Sequence, residues 1–234
     1  MFNLHATLNV IPLDEQSRFL IVDDALADPD MWVQNAAKHQ DKFAALPGNA
    51  YPGGELRMPE EVSQALMNFI RVPIRQYLNA RRLIDGYSRL SMVTQKPEQL
   101  LPRQWICHRD RLSISSNQMA IASVLYLFKN EALGGTHFFK PKQASLATKM
   151  LIHASSMMDA EDFQQKYAIS PGYMTQSNAY FERVCTVAAK WNRLIIYDGM
   201  QFHSGDIQHP ELLTDNPQTG RLTLNGFFTA RHGL

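Results

Sequence analysis

The sequence has few cysteines, no long apolar run and almost no net charge, and each of these absences excludes a class of protein. Only two cysteines, Cys107 and Cys185, occur in 234 residues; their spacing forms no Cys-x-x-Cys, and they give little evidence of a disulfide framework. No run of eighteen apolar residues is present, so we expect no membrane span. A formal net charge of +1 gives no electrostatic reason to expect a nucleic-acid or membrane partner.

The composition otherwise fits a globular protein of one sizeable domain. Hydrophobic residues make up 45% of the chain, which is enough to fill a core of that size. The first residues lack the basic start and apolar stretch of a secretory signal. We therefore expect a cytoplasmic protein in a reducing compartment. The oligomeric state stays open.

The first third of the chain has the pattern of supporting helices. The sequence predicts a strand at 18–22, a helix from Pro29 to about Leu46 that Asp28 caps, and a helix over 59–79 that Pro73 kinks or divides.

From residue 87 the pattern changes to short strand-like runs separated by turn-forming residues. Many short strands at this spacing favour a sandwich or barrel. We expect a single domain, 1–234, in which 1–86 supports a mainly β core over 87–234 that contains an insertion at 145–178, helical over 155–170. The predicted strands are 87–94, 104–108, 119–128, 136–140, 180–187, 193–197 and 221–230.

Two His-x-Asp patterns occur, and local structure separates them. Residues two apart in a strand point to the same side, so His108 and Asp110 can converge on one ion. His39 and Asp41 lie in a predicted helix, where positions two apart diverge by about 200°, and we interpret them as solvated helix surface. The alternative for His108 and Asp110 is a hydrogen-bonded pair at the end of a strand.

A third histidine would complete a metal site of two imidazoles and one carboxylate, the set that holds iron(II) with three positions left open. His203 follows the predicted strand at 193–197 and lies at a glycine-bounded end. It is our preferred third ligand. His209 competes with it, but it precedes Pro210 in a predicted loop.

Arg221 begins the last predicted strand. Alternation places Arg221, Thr223 and Asn225 on one face, with Leu222 and Leu224 on the other. An arginine inside a barrel is costly without an anion, and its planar fork fits a carboxylate. The alternative is that this face lies outside and the arginine is solvated.

Together these residues resemble the iron(II)/2-oxoglutarate-dependent dioxygenases, especially the prolyl-4-hydroxylase-like branch. The likeness extends over most of the chain. It rests on the strand and helix that follow Arg18, on His108-Arg109-Asp110, on residues 123–128 with Gly134-Gly135, on His203, and on Gly220-Arg221.

The resemblance implies a double-stranded β-helix, a jelly-roll barrel with flanking helices, and an enzyme that hydroxylates a small molecule, amino acid or peptide. It implies Fe(II), 2-oxoglutarate and O2, with the metal held by His108, Asp110 and His203. It further implies that Arg221 meets the far carboxylate of 2-oxoglutarate, with Thr223 and Tyr126 as hydroxyl donors. His137 falls at a pocket-lining position of the family, and a packing or surface role is its alternative.

Two features depart from the family pattern. The interval between His203 and Arg221 is longer than is usual, and Phe128 stands where the family has an asparagine. Neither change affects the predicted metal ligands.

Two other functions remain open on the sequence. One is a non-catalytic jelly-roll module that binds a carbohydrate or peptide through aromatic residues such as Trp105 and Tyr180. The other is a metal-dependent cupin enzyme that does not use 2-oxoglutarate. Candidate pocket walls are 51–55, 95–103 and 145–178.

Overall fold

The structure, a computed structural model, describes residues 1–15, 17–45, 50–110 and 115–233. These residues form four α-helices, namely α1 (Pro29–Lys38), α2 (Glu60–Tyr77), α3 (Ser145–Met157) and α4 (Ala160–Tyr167). They also form ten strands: β1 (Thr7–Pro12), β2 (Arg18–Asp23), β3 (Gly53–Arg57), β4 (Ala80–Val93), β5 (Gln118–Tyr126), β6 (Thr136–Pro141), β7 (Phe181–Val187), β8 (Leu194–Asp198), β9 (Phe202–Gly205) and β10 (Arg221–His232).

The strands build two antiparallel sheets that form a double-stranded β-helix, the expected jelly roll. The larger sheet has the order β1-β2-β8-β5-β10-β4-β3, and the smaller has the order β7-β6-β9. Strands distant in sequence therefore lie side by side, because β10 pairs with both β4 and β5. This pairing brings residues from the whole chain to one interior.

The two faces of the larger sheet have different partners. One face packs against α1 and α2, and α2 contributes the helical series Leu66, Ile70 and Ile74 to that cluster. The other face turns toward the smaller sheet, where Tyr126, Phe138 and Tyr197 pack together. No helix in the described part of the chain is long and apolar enough to cross a bilayer.

Three predicted elements differ from the structure. The first helix ends at Lys38 and is followed by a 3₁₀ turn over Gln40–Lys42; the expected end at Leu46 lies outside the described residues. Pro73 was expected to kink or divide the second helix, and it does not divide it, because α2 runs through Pro73. The region predicted as one helix at 155–170 contains the end of α3 and the whole of α4. The Asp159 side chain caps α4, because it accepts a hydrogen bond from the Asp162 amide.

The strand predicted at 104–108 was wrong. Pro102 starts a 3₁₀ turn that runs to Gln104, and only His108 makes a β-bridge. Trp105 and Cys107 are buried in a cluster with residues of α3 and α4. The consecutive apolar residues 105–107 are therefore buried as part of an irregular segment. Sequence reasoning also missed β1, β3 and β9.

Candidate metal centre

The three predicted metal ligands come from two segments that are joined by backbone hydrogen bonds. The amide of His108 donates to the carbonyl of His203 at 2.9 Å, and the amide of His203 donates back at 2.9 Å. The Asp110 amide donates to the Gly199 carbonyl, also at 2.9 Å. One ligand atom from each of His108, Asp110 and His203 lies within 4.8 Å of the others.

The hydrogen bonds of His203 set its tautomer. Its Nδ1 lies 3.0 Å from the Gln201 carbonyl oxygen and therefore donates to it, which leaves a lone pair on Nε2. That Nε2 lies 3.1 Å from the Tyr197 hydroxyl, and 3.6 Å from Asp110 Oδ1. The Tyr197 hydroxyl donates its one proton to this Nε2, so a buried phenol is the partner of His203 in the metal-free protein.

The surroundings favour the neutral form of the imidazole. His108 is accessible through the cavity described below, but protein atoms surround its ring. This desolvation lowers the pKa of His108 well below its usual value, and the nearby His203 and Arg89 add to the shift. Burial raises the pKa of Asp110, and the charges of His203 and Arg89 oppose that rise. A neutral imidazole is the form that binds a metal.

The side chains present fit a divalent metal ion. Two imidazole nitrogens and one carboxylate are the donor set of non-haem iron(II) sites. Asp110 Oδ2 is buried and has no hydrogen-bond partner within the described ranges, a costly state for a carboxylate oxygen unless a cation occupies the position beside it.

The metal centre opens into a cavity of about 280 Å³ between the two sheets. His108, Asp110 and His203 all line it, and so does Arg221. Arg221, Thr223 and Asn225 therefore lie on the inner face of β10. The alternative of an outer face with a solvated arginine does not hold. Leu222 and Leu224 are buried on the opposite face, in the cluster that packs on the helices.

Three backbone carbonyls hold the Arg221 guanidinium. Its Nε donates to the oxygens of Leu133 at 3.0 Å and Gly134 at 3.1 Å, and Nη2 donates to Gly135 at 2.8 Å. Gly134 has φ 85°, and a Cβ there would lie 1.6 Å from the Asp206 carbonyl oxygen, so this turn requires glycine. No carboxylate pairs with Arg221 in the part of the chain that the structure describes.

The hydroxyl groups predicted beside Arg221 have different positions. Thr223 lines the cavity. Tyr126, the cross-strand neighbour of Thr223, is fully buried, and its hydroxyl lies 2.8 Å from that of Thr136. Tyr51 was foreseen as part of a pocket wall, and it lines the cavity beside Thr223.

The other histidines lie outside the centre. His137 points away from the cavity, with Nε2 2.8 Å from Asp206 and Nδ1 2.8 Å from the Thr186 hydroxyl; the packing alternative therefore describes it. His209 is exposed and contacts Glu211. His39 donates to the Asn35 carbonyl at the end of α1, and Asp41 is exposed beside it, as expected for helix surface.

The aromatic residues named for a binding module do not line the cavity either. Trp105 is 3% exposed and donates to the Leu100 carbonyl. Tyr180 donates its hydroxyl to the Tyr167 carbonyl.

Sequence reasoning missed Tyr197 and Arg89, which lie close to the candidate ligands. Tyr197 ends a predicted strand, and its hydrogen-bond partner in the site, His203, lies six residues further along the chain. A buried polar residue at the end of a core strand was the available signal. For Arg89 the chain offered no local signal, because its position depends on the pairing of β4 with β10.

The protein-family model described as a family of unknown function (DUF6445) matches residues 4–228. The chain belongs to DUF6445. No curated protein matches the sequence.

Solved structures share the fold of this DUF6445 member. A non-heme alpha ketoglutarate dependent carbocyclase, SnoK from nogalamycin biosynthesis, is 12% identical, with a TM-score of 0.51, over 94% of this chain and 84% of that chain. HygX from Streptomyces hygroscopicus, with nickel and 2-oxoglutarate bound, is 12% identical, with a TM-score of 0.50, over 93% and 84%.

A prolyl-4-hydroxylase from Pseudomonas putida is 16% identical over 92% of this chain and 93% of that chain, with a TM-score of 0.44. This value does not establish the prolyl-4-hydroxylase-like branch. At such identities the shared property is the jelly-roll fold.

Proposed function

We propose that the protein is a non-haem iron(II)/2-oxoglutarate-dependent oxygenase that hydroxylates a small-molecule, amino-acid or peptide substrate. One observation carries the proposal. His108, Asp110 and His203 converge at a cavity that Arg221 also lines, so a metal donor set shares one cavity with a guanidinium that has no carboxylate partner among the described residues. In support, a solved structure of the same fold holds nickel and 2-oxoglutarate.

The chemistry supplied by bound iron(II) and 2-oxoglutarate is reduction of O2 coupled to oxidative decarboxylation of the 2-oxo acid, which yields succinate, carbon dioxide and a hydroxylated substrate. The protein supplies position. His108, Asp110 and His203 would hold the metal, and the bond from His203 Nδ1 to the Gln201 carbonyl would leave Nε2 as the ligating nitrogen.

Arg221 would orient the co-substrate by binding its far carboxylate. Backbone carbonyls accept from its Nε N–H and from one N–H of Nη2. The other three of its five N–H groups have no hydrogen-bond partner among the described residues. Such a fixed fork loses little entropy on binding a carboxylate. Thr223 and Tyr126 would add hydroxyl donors, Thr223 directly and Tyr126 through a change of its bond to Thr136.

The test is formation of succinate from 2-oxoglutarate by the purified protein, with and without iron(II), under air. Iron-dependent succinate formation is expected, and His108→Ala should abolish both this turnover and stoichiometric iron binding. The matched control is His39→Ala, which removes the histidine of the other His-x-Asp pattern and should change neither. A wild-type protein that binds neither iron nor 2-oxoglutarate would refute the proposal.

The same measurements separate the two alternatives. A cupin enzyme that does not use 2-oxoglutarate would bind metal but form no complex with 2-oxoglutarate. A binding module would take up no stoichiometric iron. A cytoplasmic location stays part of the proposal, since a reducing compartment keeps iron ferrous.

A further inference from the structure

A second arginine lines the cavity, on a different strand from Arg221. Arg89 lies on β4, and its cross-strand neighbour on β10 is Asn225. Both side chains line the cavity. Thr223 lies two residues from Asn225 on the inner face of β10, and Arg221 lies four residues from it. Arg89 is therefore paired with a different residue of β10 from Thr223 and Arg221.

The guanidinium of Arg89 is held by only one of its edges. Its Nη1 contacts both carboxylate oxygens of Glu55, at 2.8 Å each. The group lies over the ring of Phe227, 4.7 Å from its centroid, and 5.6 Å from that of Tyr51. An ion pair and two aromatic faces thus fix its plane.

The other edge of this guanidinium has no protein partner. Nε is buried without a hydrogen bond, and no bond from Nη2 occurs within residues 1–15, 17–45, 50–110 and 115–233. The Nε and Nη2 N–H groups are parallel, and this edge is a bidentate donor to a carboxylate. A buried N–H without an acceptor is costly, so the edge favours a ligand that supplies one.

Asn225 presents an unpaired acceptor beside it. Its Nδ2 donates to the Ser91 hydroxyl at 3.2 Å, whereas Oδ1 is buried and has no partner among the described residues. An N–H or O–H group on a ligand would satisfy this oxygen. The pair Arg89 and Asn225 therefore offers two parallel donors next to one acceptor.

Arg89 is also close to the metal centre. It lines the same cavity as His108 and Asp110. Besides Asp110, the residues that line the cavity include no carboxylate, but they include four arginines: Arg89, Arg103, Arg109 and Arg221. The guanidinium of Arg109 is turned onto the Phe202 ring. The interior thus favours an anionic ligand.

We propose that Arg89 and Asn225 recognise the primary substrate, which is a small carboxylic acid with an adjacent amino or hydroxyl group. Arg89 binds the carboxylate through its Nε and Nη2 edge, and Asn225 Oδ1 accepts from the neighbouring N–H or O–H. This specificity rests on the proposed function, and it adds the substrate class to it. The cavity of about 280 Å³ must also hold 2-oxoglutarate, which favours a small acid.

The experiment compares acids with their neutral analogues. The probes are the L-amino acids, the matching L-2-hydroxy acids and the carboxamide of each, titrated calorimetrically into protein loaded with nickel(II) and 2-oxoglutarate, and into protein without them. At least one acid should bind about tenfold more tightly than its carboxamide, because a charged hydrogen-bonded pair is lost in the amide.

The variants assign that preference to residues. Arg89→Gln should reduce the acid-to-amide ratio to about one, and the double variant Arg89→Gln/Glu55→Gln should do the same without leaving Glu55 unpaired. Asn225→Leu should reduce the preference for an amino or hydroxy acid over the unsubstituted acid. The matched control is Arg57→Gln, since Arg57 is the cross-strand neighbour of Arg89 on β3 and is not among the described residues that line the cavity. It should keep the ratio.

Two results would overturn the inference. The first is a wild-type protein that binds no acid more tightly than its carboxamide. The second is an Arg89→Gln variant that keeps the acid preference and loses 2-oxoglutarate instead, which would make Arg89 the anchor of the co-substrate. An acid preference without any 2-oxoglutarate complex would uphold the specificity of this site while refuting the oxygenase.

Discussion

At the scale of single residues, Tyr197 shows how the centre is kept together without a metal. Its ring is buried, 2% exposed, and its hydroxyl donates to His203 Nε2 at 3.1 Å. A metal ion would compete for the same Nε2 lone pair. The phenol is therefore the partner of His203 in the metal-free protein, and it prevents this buried nitrogen from standing unsatisfied.

Tyr197→Phe should destabilise the metal-free protein by about 1–3 kcal/mol, because His203 Nε2 loses its buried hydrogen-bond partner. The metal-loaded protein should lose less, since the ion then satisfies Nε2. Urea unfolding with and without nickel(II) measures both values. An equal loss in the two states would mean that the hydroxyl does not share the metal's position.

Arg221→Lys tests whether the fork or only the charge is needed. Lysine keeps the positive charge but cannot donate to three carbonyls and a carboxylate at once. We expect the dissociation constant of 2-oxoglutarate to rise at least about tenfold. Titration of the iron(II)-loaded protein without oxygen measures it, and an unchanged constant would exclude Arg221 as the anchor.

At the scale of elements, charged side chains join β2 to the start of β8 in the larger sheet. Asp23 at the end of β2 accepts from Arg193 Nε at 2.7 Å and Nη2 at 3.0 Å, and from Lys190 Nζ at 3.0 Å. These residues lead into β8, whose Leu194 pairs with Val22. The hydrogen bond from Arg193, aided by Lys190, lowers the pKa of Asp23 to about 2.

Asp23→Asn should reduce the free energy of unfolding at pH 7 by at most about 2 kcal/mol, since the carboxyl titrates at 3.8 when unfolded and at about 2 when folded. A depressed folded pKa stabilises the protein above the unfolded pKa, and this contribution is lost as the pH falls from about 4 toward 2. The difference between wild type and variant should therefore shrink between pH 7 and pH 3. A difference independent of pH would contradict this.

Local sequence patterns predicted short apolar strands bounded by turn residues, and two of these are buried over four consecutive residues. The strand predicted at 136–140 is Thr136–Pro141, and that at 193–197 is Leu194–Asp198. The pattern failed at 104–108, because Trp105 and Cys107 pack on α3 and α4 although their neighbours form no ladder. Periodicity reports which side chains are buried, and it does not report whether the backbone finds a partner.

At the scale of the whole molecule, the site depends on pairings between distant segments. The sequence identified His108, Asp110 and His203 as a group because each lies at a recognisable position in its own segment. It did not identify Arg89 or Tyr197. The register of β4 on β10 places Arg89, and the passage of the chain from β8 in the larger sheet to β9 in the smaller sheet places Tyr197 beside His203. A short sequence pattern does not predict which residues of two distant strands pair with each other.

Ligands of the proposed site should stabilise the entire fold, since the site joins both sheets. Metal and 2-oxoglutarate at about 100 times their dissociation constants should each add about 2.7 kcal/mol. Thermal unfolding with each ligand alone and with both together measures this. Asp110→Asn should lose the metal-dependent increase, and an increase that persists in this variant would place the ion elsewhere.

The reciprocal backbone bonds between His108 and His203 bear on how the centre would be assembled. The register that pairs these two peptide groups sets the imidazoles side by side, with ring centroids 4.4 Å apart, before any ion arrives. Preorganisation of this kind leaves little ordering entropy to be lost on metal capture. A chelator should accordingly empty the centre without unravelling it, and the protein should accept its metal late, after folding is complete.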